Sequence, residues 1–313
     1  MPPTLSWKIG WLTPDAPALA RSAATVRRAA HLQESCGTGR DQRMNTMDQD
    51  RVKAFDGVNN FRDFGGWRTG GGARVAIGVL FRSAHLAKAS KADLARMLAL
   101  GITDVTDLRQ AAEQAEQPSA WIGKLPLAVI EEPDEAMAGD AYGAGMAPHI
   151  AAFANSDFSS RAMRDLLAGH YRTMPYERRN IALFRRYFDR LATGRGGMLI
   201  HCAAGKDRTG ILARLTHHVL DVHADDALED YLLSNTAGNL AERLPRLKRH
   251  MEQTYGRPIA SEAILTLLSV EPGYIEQCWT ALCAKSGSVD GYLADVLGVD
   301  EIVQQQIRER LLS

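Results

Sequence analysis

One segment concentrates residue types that do chemistry together: Cys202-Ala-Ala-Gly-Lys-Asp-Arg208, closed by Thr209-Gly210. A thiolate is a strong nucleophile, and Arg208 stands six positions after Cys202, close enough to turn back toward it across a tight loop. Ala203, Ala204 and Gly205 are small, so the backbone can wrap closely and aim successive N–H groups into one concavity. A nest of this kind at the start of a helix holds an oxyanion or a phosphate group. Arg208 adds a planar fork for two oxygens of the same anion, and Lys206 adds a second positive charge. The same field favours the ionised sulfur: a free thiol titrates at about 8.5, and helix N-termini with nearby cations bring it to roughly 3.5–7.5. Cys202 is therefore expected as a thiolate aimed at phosphorus, with the Thr209 hydroxyl donating to that sulfur when it leaves.

Such a loop needs a rigid strand before it and a helix after it. Gly196–His201 is a short apolar strand, and Ile211–Leu220 is an apolar helix. Val79–Arg82, the β-branched alternating run Ile102–Leu108, and Leu125–Ile130 are further strands. Ser90-Lys-Ala-Asp93 forms a capping box before Leu94, Met97 and Leu98, and Gly101 ends that helix. Ser160 to Leu191 reads as largely helical, with Tyr171, Phe184, Tyr187, Phe188 and Leu191 available for packing. Helices follow over 224–235, 240–255, 261–269, 272–285 and 301–312, while 139–160 lacks a period and reads as a mobile loop. Strands interleaved with helices predict an α/β fold with a central sheet.

The chain has 313 residues, enough for one large or two small domains and for a core without disulfides or structural metal. It is 45% hydrophobic and 24% charged, too apolar for general disorder. Lys+Arg and Asp+Glu both number 37, which argues against a nucleic-acid or polybasic membrane binder while leaving room for a local basic pocket. Four cysteines are too few for a disulfide scaffold at this size, so a reduced cytoplasm is the default expectation, with export without a signal peptide left open; no apolar run reaches membrane-span length. Residues 1–50 carry early prolines and little periodicity and are expected as a disordered or loosely packed extension to a 51–313 domain. Cys278 and Cys283 read as separate buried thiols, and His217, His218 and His223 as helix-surface residues rather than metal ligands.

His201-Cys-Ala-Ala-Gly-Lys-Asp-Arg-Thr-Gly210 resembles the loop of the cysteine-based protein tyrosine phosphatases. More narrowly, it is similar to that of the bacterial tyrosine/serine and phosphoinositide phosphatases. Asn60–Asp63, Leu80–Ser83, Ile102–Arg109, Asp230–Asn235 and Gly291–Leu293 match the same family, so the resemblance covers roughly residues 55 to 313.

The resemblance implies a phosphatase fold with a mostly parallel central sheet, a helical lid within 139–190 and a helix-rich C-terminal half. It implies a metal-independent, cofactor-free hydrolysis of phosphotyrosine proteins through a cysteinyl-phosphate, with phosphoserine/threonine or phosphoinositides as additional substrates. Cys202 would be the nucleophile, with Arg208 and the amides of residues 203–208 clamping the transition state. Asp134, after the strand at 125–130, and Asp207, inside the loop, are the two candidates for the general acid. Asp207 is also a candidate for steadying the loop or positioning water. Lys206 suits substrates that carry several phosphates. His201 is expected to orient the loop backbone, Arg62 and Asp63 to brace or line the pocket, and Asp107 and Arg109 to hold the loop by hydrogen bonds. A phosphate-binding module without turnover is the rival reading, and the full set of Cys202, Arg208, Thr209 and an acid speaks against it.

Overall fold

Met198, Leu199 and Ile200 are all buried, but they face opposite ways: Met198 and Ile200 join one hydrophobic cluster and Leu199 another. That two-residue alternation makes Gly197–His201 a strand covered on both faces. In a computed structural model, residues 51–120, 128–130 and 157–313 are described. The expected N-terminal extension, Asp134 and the 139–156 part of the lid lie outside them.

The strands are β1 (Arg62–Asp63), β2 (Leu80–Ser83), β3 (Ile102–Asp107), β4 (Ala128–Ile130) and β5 (Gly197–His201). Among the described residues, the helices of six residues or more are α1 (Lys91–Ala99), α2 (Ala111–Glu116), α3 (Ser160–Thr173), α4 (Arg178–Thr193), α5 (Arg208–Val219), α6 (Ala224–Leu232), α7 (Leu240–Tyr255), α8 (Ser261–Leu268), α9 (Pro272–Ser286) and α10 (Glu301–Leu311). The sheet order is β1-β2-β5-β3-β4, antiparallel only at the β1–β2 edge. The fold is thus α/β with a mostly parallel central sheet. His201 pairs with Ser83 on one side and Asp107 on the other, so three parallel strands end level. The loop that leaves β5 emerges at these carboxyl ends, where open α/β sheets bind ligands.

One face of the sheet packs Phe61, Phe81, Val105 and Leu199 against Leu94 and Met97 of α1. The other packs Met198 and Ile200 against α4 and α5 through Leu183, Phe184, Tyr187, Ile211 and Leu215. Each such side chain contributes about 1.5–3 kcal/mol by leaving water. A smaller cluster joins Phe158 and Met163 to Met251, Ile264 and Leu268 of the α7–α8 hairpin.

The Ser90 capping box forms as expected, with Ser90 Oγ accepting from the Asp93 N–H and the Asp93 carboxylate accepting from the Ser90 N–H. The helix expected over 160–191 is two helices. A single turn, Met174–Tyr176, separates them, because Pro175 has no N–H to continue the ladder. The inner faces of α3 and α4 are buried, through Met163, Leu167 and Tyr171 on one and Leu183, Phe184, Tyr187, Phe188 and Leu191 on the other. Helix α2 was not anticipated: it is short, with no buried residue, so it shows no apolar period.

Candidate active site

The loop after β5 is shaped from beneath. The Ala203 carbonyl accepts from the His85 N–H at 3.3 Å, and the Ala204 and Gly205 carbonyls both accept from Asn60 Nδ2 at 3.0 Å. Arg82 Nη2 also donates to the Gly205 carbonyl at 3.0 Å. In a planar trans peptide the next N–H points opposite to the carbonyl. Three carbonyls drawn downward therefore turn the N–H groups of Ala204, Gly205 and Lys206 upward. No hydrogen bond from the described residues takes these three donors. The three donors thus lie on the opposite side of the loop from those carbonyls, and Cys202, which precedes them, is only 2% exposed. Gly205 is required here: its φ is +69°, and a Cβ would lie 2.3 Å from the Ser83 carbonyl oxygen.

The brace has a charged core. Arg62 Nε binds Asp230 Oδ1 at 3.1 Å and Arg82 Nη1 binds Asp230 Oδ2 at 2.6 Å, with all three side chains buried. Arg62 also reaches Ser234 Oγ at 3.1 Å and the Oδ1 of Asn60. Burial and the neighbouring Arg82 draw the Arg62 guanidinium down to about 10 against the pull of Asp230. Burial would raise the Asp230 carboxyl, but the two arginines override it and hold it well below the usual range. Two cations on one carboxylate leave a net positive charge, and Arg82 carries it to the Gly205 carbonyl of the 202–208 loop. The three segments Asn60–Asp63, Leu80–Ser83 and Asp230–Ser234 meet in this brace.

Arg208 opens α5 and is held by an acid that sequence reasoning missed. Its Nη1 and Nη2 donate to Glu113 at 2.6 and 2.8 Å, and Nη1 also donates to the Leu108 carbonyl at 2.8 Å. Burial opposes both charges, yet the pairing lowers Glu113 to about 2 and raises Arg208 above its ordinary value. The only sequence signal was Gln110-Ala-Ala-Glu113, a capping box in which the Glu113 carboxylate takes the Gln110 N–H. Asp107 and Arg109 pair at 2.7 Å, and Arg109 further holds the Gln117 carbonyl and Ser119 Oγ. They thus fold the 108–119 segment that carries Glu113; the donors to the carbonyls of residues 203–205 are instead Asn60, Arg82 and His85.

Lys206 sends its ammonium to the end of α8, donating to the Leu267 and Ser269 carbonyls at 2.6 and 3.1 Å. Burial lowers its pKa. Asp207 accepts a hydrogen bond from the Tyr171 hydroxyl at 2.8 Å, and Lys206 lies 3.5 Å away. Burial pushes the Asp207 carboxyl up, but Lys206 and the Tyr171 hydroxyl outweigh it, so the group stays ionised below its ordinary value.

The other expected residues spread more widely. His201 is buried in β5 with Nδ1 3.6 Å from Asp107, and its backbone carbonyl accepts from Leu108. Asp63 accepts from the Gly65 and Gly78 N–H groups, contacts that belong to the turn joining β1 and β2. Thr209 Oγ1 is buried without a hydrogen-bond partner, so the expected bond to the Cys202 sulfur is not made. Its place in the first turn of α5 fixes its backbone and leaves only side-chain rotation to reach an acceptor. His217 is not on the helix surface: it is buried, with Nε2 2.8 Å from the Phe64 carbonyl. Cys278 is buried as expected, whereas Cys283, five residues on, falls on the exposed side of α9. No helix among the described residues is long and apolar enough to cross a membrane.

A family model described as the tyrosine phosphatase family matches residues 53–313. A Cupriavidus necator protein provisionally named as a tyrosine-protein phosphatase is 34% identical over 248 residues, spanning 79% of this chain and 84% of its own. The Mycobacterium tuberculosis triple specificity protein phosphatase PtpB is 29% identical over 285 residues, spanning 84% of this chain and 99% of its own. A crystal structure of Pseudomonas aeruginosa TpbA in complex with pTyr covers 65% of this chain and 96% of its own, at 17% identity and a TM-score of 0.26.

Proposed function

This chain belongs to the tyrosine phosphatase family, and on that premise we propose that it cleaves phosphate monoesters through Cys202, with phosphotyrosine in proteins as its first substrate. The observation that carries this reading is the set of three upturned N–H groups beside Cys202, backed by a buried positive brace. The Cys202 sulfur attacks phosphorus while the P–O bond to the substrate breaks, and the leaving oxygen takes a proton from an acid, for which Asp134 is proposed. Water then attacks phosphorus, the S–P bond breaks, and orthophosphate leaves. Asp207, ionised and inside the loop, is proposed as the base that takes the proton from that water. The upturned amides and Arg208 stabilise the charge on the phosphoryl oxygens in both steps. Neither step calls on a metal or cofactor.

Phosphoserine, phosphothreonine and phosphoinositides are proposed as further substrates. Support comes from the triple specificity of the M. tuberculosis relative. The test is turnover of phosphotyrosine peptide, phosphoserine peptide and phosphoinositide vesicles by the native protein and by Cys202→Ser. Loss of the nucleophile is expected to lower kcat by about a thousandfold or more. Equal phosphate release from both proteins overturns the cysteine mechanism.

A further inference from the structure

Asp207 does not use its carboxylate as its position would suggest. It stands at the N-cap of α5 but makes no side-chain bond to that helix, where an Asp ordinarily accepts from the backbone two or three residues on. Its Oδ1 is turned instead toward α3 and takes the Tyr171 hydroxyl at 2.8 Å. The Tyr171 oxygen lies 2.7 Å from the Tyr231 hydroxyl on α6, and both tyrosines are buried. Their rings meet edge to face at 6.4 Å, and the Tyr274 ring lies 5.6 Å from Tyr171.

The direction of this chain follows from counting protons. Tyr171 has one hydroxyl hydrogen, and an ionised carboxylate can only accept. Tyr171 therefore donates to Asp207, and Tyr231 must donate to Tyr171. Every hydrogen then has an acceptor. The reverse direction would need a proton on Oδ1 and would leave the Tyr231 hydrogen with no acceptor among the described residues, a costly state for a buried donor. A proton on Oδ2 leaves the chain intact. Oδ2 is also the oxygen that receives no hydrogen bond from the described residues, on a side chain 22% exposed.

We propose that Tyr171 and Tyr231 are positioning residues for the reaction: their hydroxyls form a one-way donor chain that pins Oδ1 of Asp207 and reserves Oδ2 for proton exchange with water. The proposal rests on the reading of Asp207 as the base in the second step. The charged and titratable groups around Asp207 come from every neighbouring element. They are Lys206 and Arg208 beside it, His170 and Tyr171 on α3, Tyr231 on α6, Arg243 on α7 and Tyr274 on α9. Among them, Tyr171 makes the shorter contact to Oδ1, at 2.8 Å, and the Lys206 ammonium lies 3.5 Å from the same oxygen.

Two measurements separate the chain from the base assignment. In the first, aspartate carboxyl carbons are followed by NMR through a pH titration of the Cys202→Ser protein, alone and combined with Tyr171→Phe or Tyr231→Phe. Each substitution removes a single oxygen, and the titration needs no turnover. Tyr171→Phe is expected to raise the Asp207 pKa by about one unit, and Tyr231→Phe by a smaller step in the same direction. An Asp207 titration that does not move with Tyr171→Phe overturns the tyrosine chain.

In the second, the acid limb of kcat is compared in native, Tyr171→Phe, Asp207→Asn and doubly substituted proteins. Because activity needs ionised Asp207, the limb is expected at higher pH in Tyr171→Phe. With Asp207→Asn already present, Tyr171→Phe is expected to move nothing. An equal move in that background overturns the chain. A titration that moves while kcat does not overturns Asp207 as the base.

Discussion

Glu113 accepts from both terminal nitrogens of Arg208, at 2.6 and 2.8 Å, and so fixes the plane of its guanidinium. Bidentate pairing is geometric as well as energetic, since it removes rotation about the end of a long side chain.

Glu113→Ala is expected to lower kcat/KM about tenfold. A charge-assisted hydrogen bond contributes about 1.5–3 kcal/mol, and the low end applies because Glu113 is 34% exposed and partly screened. Glu113 titrates at about 2, below its ordinary value, so the pair is intact above the usual carboxylate range and lost only as pH falls toward 2. An acid limb seen between about pH 4 and 7 should therefore survive in Glu113→Gln. Steady-state kinetics across pH check both points; an unchanged kcat/KM in Glu113→Ala counts against the positioning role.

Asp230→Asn should damage the fold before the chemistry. It leaves Arg62 and Arg82 buried with no anion between them, and breaking a buried pair by removing one partner costs about 3–5 kcal/mol. Urea unfolding at pH 7 measures this. The native Asp230 carboxyl lies below its unfolded value, so its contribution is present above about pH 4 and is lost as pH falls toward the folded value. The gap between native and variant proteins should accordingly shrink in acid. A variant as stable as the native protein at pH 7 would rule out the brace as a structural support.

Lys206→Met is expected to lower turnover of phosphotyrosine and phosphoinositide in the same proportion. The ammonium is bonded to the Leu267 and Ser269 carbonyls, so its loss loosens the joint between the loop and α8 for any substrate. Parallel assays on peptide and vesicle substrates decide the point. A loss confined to phosphoinositide would mean that the ammonium leaves those carbonyls to meet the lipid phosphates.

Much of the site could be read from the chain alone because its central part is local. A buried strand, a loop of small residues and an apolar helix run consecutively from Gly197 to Val219, and the structure keeps that order. The capping box at Ser90 was readable for the same reason. Glu113 was not, because α2 has no apolar face and its partner lies 95 residues away. The destination of Lys206 was hidden similarly, since the carbonyls that hold it are 61 and 63 residues downstream. The break at Pro175 was visible in principle but was outweighed by the strong helical period on either side. The family resemblance marked Lys206 as suited to substrates with several phosphates; only the packing of α8 showed its hydrogen-bond partners.

The brace also sets when the site can exist. Arg62 and Asp230 are 168 residues apart, and Arg82 and Asp230 are 148 apart. A chain leaving the ribosome carries both guanidinium groups long before their shared anion is synthesised, and contacts so distant in sequence form slowly. Cys202, already translated by then, would sit in an unsupported turn. Catalytic competence should therefore arrive late in refolding, together with burial of the segment around Asp230 rather than with formation of the sheet.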